Sequence, residues 1–163
     1  MALFRRSLYL LGLGMLVARM TGGAEAAPAG AGSIMAQGTA TGGFEVRLTP
    51  GSTQDASIGA MAISKTFTGD IQGTSSGEML AVRTPVDNSA GYVAMERVTA
   101  TIAGRHGTFA LQHSGTMDKG VQSASVTVVP DSGTGGLAGM SGFMVIRMEA
   151  GQHNYVLHYA LPQ

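Results

Sequence analysis

The chain has 163 residues, 25 of them Gly and 11 Met, with no Cys, no Trp and only 12% charged residues, a length that suits about one domain. The absent Cys excludes a disulfide scaffold, a thiolate metal or cluster site and a thiol nucleophile, and a formal net charge of zero supplies no basic field for nucleic acid. A Gly- and Thr-rich, charge-poor composition favours strands and turns over long solvated helices.

Residues 1–26 read as an export signal. Arg5 and Arg6 form a positive start, Leu8 to Ala18 is an apolar run, and Ala24-Glu25-Ala26 supplies a small-x-small cleavage site. A membrane-spanning helix needs about 20 apolar residues, and Arg19 ends this run well short of that. Arg5-Arg6-Ser7 also fits a loose twin-arginine pattern. Paired Arg are common in general export signals, so the general route is favoured, with a periplasmic or secreted destination. Met35 as the true start is the alternative, and the ordered basic, apolar and cleavage regions argue against it. Cleavage before Ala27 removes three Arg and one Glu and leaves a mildly acidic chain. Residues 27–38 are Ala/Gly/Ser-rich and read as a flexible leader, with one domain over 39–163.

From there the chain is a succession of strands. Phe44 to Leu48 alternates apolar and polar residues, the period of a half-buried strand. Pro50 to Ser57 is a loop, Met61 to Phe67 a second strand, and Gly69-Asp70 a turn. A third strand runs from Ile71 to Arg83, with Gly73 and Gly77 as expected bulges. A fourth runs from Gly91 to Ala103, Gly104-Arg105-His106-Gly107 is a tight hairpin connection, and Thr108 to Met117 is the fifth. Val121 to Val129 is the sixth, Pro130 to Gly139 a glycine-rich loop, Ser141 to Glu149 the seventh, and His153 to Leu161 the eighth. Eight sequential strands with short connections predict an all-β fold, an antiparallel up-and-down barrel whose interior is filled or holds one small ligand.

Three motif matches fail on context. Gly133-Thr134-Gly135-Gly136-Leu137-Ala138 spells a dinucleotide fingerprint, but a strand follows where a helix must receive the pyrophosphate. Gly73-Thr74-Ser75-Ser76-Gly77 spells a serine-hydrolase elbow, which needs a strand-to-helix turn that an all-β chain lacks. The four His show no i, i+2 pair on a strand, so no metal and no cofactor is expected.

One constellation remains. Following the large apolar residues at period two puts Lys65, Glu78, Glu96, His113 and Arg147 on otherwise apolar faces. If Arg105 and His106 are the turn residues, His113 lies opposite Val98 and one diagonal from Glu96, a separation of about 7–8 Å. A turn near Val86 brings Glu78 to the level of Glu96. Two carboxylates and an imidazole in an apolar interior can serve as a general acid and base, and the same groups can equally be a structural network that specifies packing. Glu96, His113 and Tyr92 are the candidate catalytic residues. Lys65, Glu78, Phe109, Leu111, Arg147, Tyr155 and Tyr159 are the candidate ligand-contacting residues. The Met-rich faces suit either core filling or an adaptable apolar pocket.

Gly91-Tyr92-Val93-Ala94-Met95-Glu96-Arg97-Val98, the Gly104 to Met117 block and Val126 to Leu137 are similar to a bacterial family known as domain of unknown function 3224, over about Thr39 to Leu161. The resemblance implies an eight-stranded barrel like that of allene oxide cyclase, with no agreed activity and no established catalytic residues. Allene oxide cyclase and dirigent proteins are similar barrels that position an apolar intermediate in a dry cavity. That likeness is one of fold alone. It leaves two readings: a small apolar-ligand barrel acting as a cofactor-free cyclase, isomerase or lyase, or a non-catalytic periplasmic binding or carrier protein. The expected partner is a small apolar molecule, with no nucleic acid; homo-oligomerisation stays open. A membrane-inserted barrel is disfavoured by the missing aromatic girdles and by Glu45, Arg47 and Arg97 on the outward face.

Overall fold

The computed structural model describes residues 34–163. The expected export signal and all of the leader before Ile34 lie outside the described residues. Eight strands follow in order: β1 (Met35–Pro50), β2 (Gly59–Gly69), β3 (Ile71–Arg83), β4 (Ala90–Ile102), β5 (Arg105–Asp118), β6 (Val121–Val128), β7 (Ser141–Glu149) and β8 (Gln152–Pro162). Each pairs antiparallel with its sequence neighbour, and β1 pairs with β8, so the sheet closes as an up-and-down barrel. Closure removes both outer edges, which a chain with so few edge-protecting charges needs.

The hairpins explain themselves locally. Ala103-Gly104, Lys119-Gly120 and Ala150-Gly151 all have two successive positive φ angles, the twist that matches a two-residue turn to its right-twisted strands. The Pro130 to Gly139 loop carries one short 3-10 turn, Gly135–Leu137. It lies flat on the start of β5, where a Cβ at Gly107 would come 2.0 Å from the Thr134 carbonyl oxygen. Leu137 is fully buried there, so the glycines permit close backbone approach.

Four expectations are corrected. First, β1 begins at Met35, inside the supposed leader, because Met35 to Phe44 pair with β8. Second, Gly73 and Gly77 are not bulges: the β3–β4 register runs unbroken from Ile71↔Ile102 to Arg83↔Ala90. Third, the β4–β5 turn is Ala103-Gly104, so His113 faces Ala94 and not Val98. That slip is even, so every side chain keeps its face and His113 remains one diagonal from Glu96. Fourth, Gly77, not Glu78, is opposite Glu96. This slip is odd, and an odd slip turns a whole strand over.

The interior is ordered in rows of directly paired residues. At the sealed end lie Ile71 and Ile102, then Phe67, Gly73, Ala100 and Gly107, joined by Ala40, Leu157, Leu161 and Leu137. Towards the other end come Lys65, Ser75, Val98 and Phe109, then Ile63, Gly77, Glu96 and Leu111, then Met61, Met79, Ala94 and His113. The last row, Gly59, Ala81, Tyr92, Gly115 and Ala124, forms the mouth. One seam is loose. β6 and β7 are joined by the single pair Thr127↔Phe143, and Val121 to Ser125 are exposed on both faces.

Candidate functional site

Three ionisable side chains from three strands meet inside the barrel: Lys65 (β2), Glu96 (β4) and His113 (β5). Their residues are 8%, 2% and 4% exposed. The Lys65 ammonium donates to Glu96 Oε1 at 3.2 Å and lies 2.8 Å from Oε2. The second contact is a charge contact without hydrogen-bond alignment, so Oε2 has no directed partner. Lys65 also sits over the Phe44 ring, 4.6 Å from its centroid, a cation–π contact. His113 Nε2 stands 4.0 Å from Glu96 Oε2, beyond hydrogen-bonding distance, and it too has no hydrogen-bond partner.

The pairing of Lys65 with Glu96 depends on what separates them. They sit two strands apart, about 9.6 Å at the usual strand spacing. At the level of the pair, the inward positions of the intervening β3 are Gly73, Ser75 and Gly77. No large side chain rises from β3 between Ile71 and Met79, so Lys65 reaches across to β4. A Cβ at Gly77 would fall 2.1 Å from the Met95 carbonyl oxygen and 2.7 Å from Glu96 Cα, so the close strand approach requires glycine there. Ser75, directly opposite Lys65, is buried with its hydroxyl oxygen unpartnered. It belongs to the cluster and was missed from sequence. Its only signal was its place between two inward glycines, legible once the register is known.

His113 is held down to a pKa of about 4. Burial is the chief cause, the Lys65 charge adds to it, and Glu96 opposes both. The imidazole is therefore neutral at neutral pH, a weak base and no general acid. Burial also pushes the Tyr92 phenol up, so it keeps its proton. Tyr92 is four residues along β4 from Glu96, at the mouth, with its ring over Gly115, where a Cβ would lie 2.4 Å from Cε1. The three candidate catalytic residues thus share one face but do not form one contacting group.

The candidate ligand-contacting residues scatter. Lys65 joins the cluster. Phe109 and Leu111 are fully buried core residues. Tyr155 is buried with its hydroxyl committed, accepting from the Ile71 amide at 2.8 Å and donating to the Thr68 carbonyl at 3.0 Å. Tyr159 covers Gly38, whose Cβ would lie 2.4 Å from its Cζ. Glu78 and Arg147 are exposed on the outer wall. They do share a face with large apolar residues, as expected, but Leu80, Val82 and Phe143 are 45%, 41% and 50% exposed. That apolar face is the outside of the barrel.

A second feature lies at that end of the wall. An apolar groove of about 700 Å³ runs along β3 to β6, walled by the outward Leu80, Val82 and Val93 and by Ile58, and touching Ala81, Tyr92, Gly115 and Ala124 of the mouth row. None of the three ion-cluster residues lines it.

Residues 40–159 match the family described as "Protein of unknown function (DUF3224)". The crystal structure of a protein of unknown function from that family, from Shewanella oneidensis MR-1, is 41% identical. It covers 78% of this chain and 99% of its own, with a TM-score of 0.74. No curated protein is significantly similar to this chain. With most of its barrel matched in sequence and fold, the chain belongs to the DUF3224 family, whose function is unknown.

Proposed function

We propose that this is an exported binding protein that holds a small, largely apolar molecule in the mouth half of its barrel, without chemical turnover. The observation that carries it is the gradient along the inner face. The sealed end is packed solid, whereas the inward residues of the mouth half, Val46, Met61, Met79, Tyr92, Met117 and Ile146, are only half-buried. Met side chains repack around varied shapes, and Tyr92 offers one protonated hydroxyl at the rim. The Lys65–Glu96–His113 cluster lies beneath as a rigid, covered floor.

Binding is better supported than catalysis. Glu96 is engaged by Lys65, His113 is neutral, and the two are too far apart to pass a proton directly. Glu45, Arg47, Glu78, Arg97 and Arg147 are exposed on the outer wall, which suits water rather than lipid. Export rests on the succession of basic start, apolar run and small-x-small site within residues 1–26.

The test is titration of the mature chain with the apolar fluorophore 1-aminoanthracene, alongside native mass spectrometry for a co-purified molecule. Tyr92→Ala combined with Met79→Ser should weaken fluorophore binding at least about tenfold, about 1.4 kcal/mol, while Val93→Arg on the outer wall leaves it unchanged. Loss of binding in Val93→Arg alone places the ligand outside the barrel, and absence of binding in the wild type removes the proposal.

A further inference from the structure

Resting on the binding role proposed above, we infer that the molecule held in the barrel carries an uncharged hydroxyl, as an alcohol or a phenol, that bridges Glu96 Oε2 and His113 Nε2. Among the described residues, Ser75 Oγ, Glu96 Oε2 and His113 Nε2 are buried side-chain atoms with no hydrogen-bond partner. A buried polar atom left unpaired costs free energy, so such atoms mark a place where a partner belongs. Ser75 lies one row deeper, opposite Lys65. The other two face each other. Oε2 and Nε2 stand 4.0 Å apart, too far for a direct bond and close enough to share one oxygen. An oxygen about 2.8 Å from both atoms would see them about 90° apart, near the spread of a hydroxyl's O–H bond and lone pairs.

The donor inventory and the charges select the group. A carboxylate oxygen only accepts, and a neutral imidazole with its proton on Nε2 donates there. A hydroxyl does both, donating to Glu96 and accepting from His113. Ionised groups fit badly, because the Lys65 ammonium already lies 2.8 Å from the same Oε2. A ligand carboxylate would face the Glu96 charge and a ligand ammonium the Lys65 charge. Either would bring an unpaired charge into a buried cluster that is neutral as it stands. The way in is built from small and adaptable residues. Of the mouth row, Gly59, Ala81, Gly115 and Ala124 are Gly or Ala, and only Tyr92 is large. On the β2–β3 side that rim carries Gly59 and Ala81 alone, two residues along from Met61 and Met79. Those Met are half-buried and share the row of His113. Their unbranched side chains can repack around an apolar body while its hydroxyl reaches the floor.

The experiment is displacement of 1-aminoanthracene from the mature chain, at neutral pH, by probes of one shape: naphthalene, 2-naphthol, 2-naphthoate and 2-naphthylmethylammonium. The hydroxyl of 2-naphthol should make it at least about tenfold more effective than each of the others. In His113→Leu, with folding verified by circular dichroism, its advantage over naphthalene should disappear. A change that merely disturbed packing would move both probes alike. The wild-type ratio decides the matter whether or not that variant folds. Equal displacement by naphthalene and 2-naphthol overturns the inference and leaves the binding role standing, with solvent completing the Glu96–His113 pair. Preference for either ionised probe overturns it too. So does an advantage that survives in His113→Leu, which would put the hydroxyl elsewhere, as at Tyr92. A wild type that takes up no 1-aminoanthracene removes the binding role and this inference together.

Discussion

Glu96 is the residue on which the interior turns. Its side chain is fully buried against Lys65, and removing one member of a buried pair leaves the other charge uncompensated. Glu96→Gln should therefore cost about 3–5 kcal/mol in urea unfolding. Lys65→Met with Glu96→Leu, which removes both charges and keeps volume, should recover most of that loss. Equal destabilisation by the single and double changes would show that packing volume, not charge, is what Glu96 supplies. His113 gives a separate signature in pH. Its folded pKa of about 4 lies below the ordinary 6.5, so between those values the unfolded chain binds a proton that the folded one refuses. Stability from this group is fully present above pH 6.5 and is lost as pH falls towards 4, by about 3 kcal/mol in all. His113→Gln should flatten the urea midpoint over that window, and an unchanged slope would assign the pH dependence to other groups.

At the scale of elements, the hairpins carry a small removable strain. Ala103 and Ala150 occupy φ of 50° and 49°, where a Cβ costs about 1–2 kcal/mol and Asn is better tolerated. Ala103→Asn, at an exposed turn, should raise stability by about 0.5–1 kcal/mol, measured by thermal unfolding. Gly77 is the opposite case. Its φ is ordinary, but the backbone of β4 occupies the space a Cβ needs. Gly77→Ala should cost about 1–3 kcal/mol as an overpacking change and should also part Lys65 from Glu96. Between Ile71 and Met79 the third strand is thin on its inner side, and its neighbours touch across it there. Composition alone suggested bulges there, because a glycine within a strand more often marks a kink than a gap left for someone else's side chain.

For the whole molecule, closure is the decisive step. It is made by ten pairs from Met35↔Pro162 to Phe44↔His153, and the seam between β6 and β7 adds little, with one pair. A chain beginning at Ile34 should unfold in one cooperative transition. A chain beginning at Phe44 keeps seven complete strands but loses nearly all of the β1–β8 ladder, and should unfold broadly and aggregate through its freed edges. Matching urea transitions of the two chains would show that the barrel does not depend on that ladder.

What the sequence determined by itself is the part of the structure set by neighbours along the chain. Period-two alternation and paired turn residues located all eight strands, because both signals arise within a few residues of where they act. The inward direction of Lys65, Glu96 and His113 was legible for the same reason: each lies among large apolar residues at even spacing on its own strand. Tertiary structure alone decided which apolar face was inside for β3 and β7, since Leu80, Val82 and Phe143 are as apolar as any core residue and an odd register slip is invisible locally. It also decided that Lys65 meets Glu96 across a stretch of β3 whose inward positions are Gly73, Ser75 and Gly77, and that the Tyr155 hydroxyl is committed to the Ile71 amide and the Thr68 carbonyl. Those facts depend on pairings between residues tens of positions apart, which barrel closure fixes together.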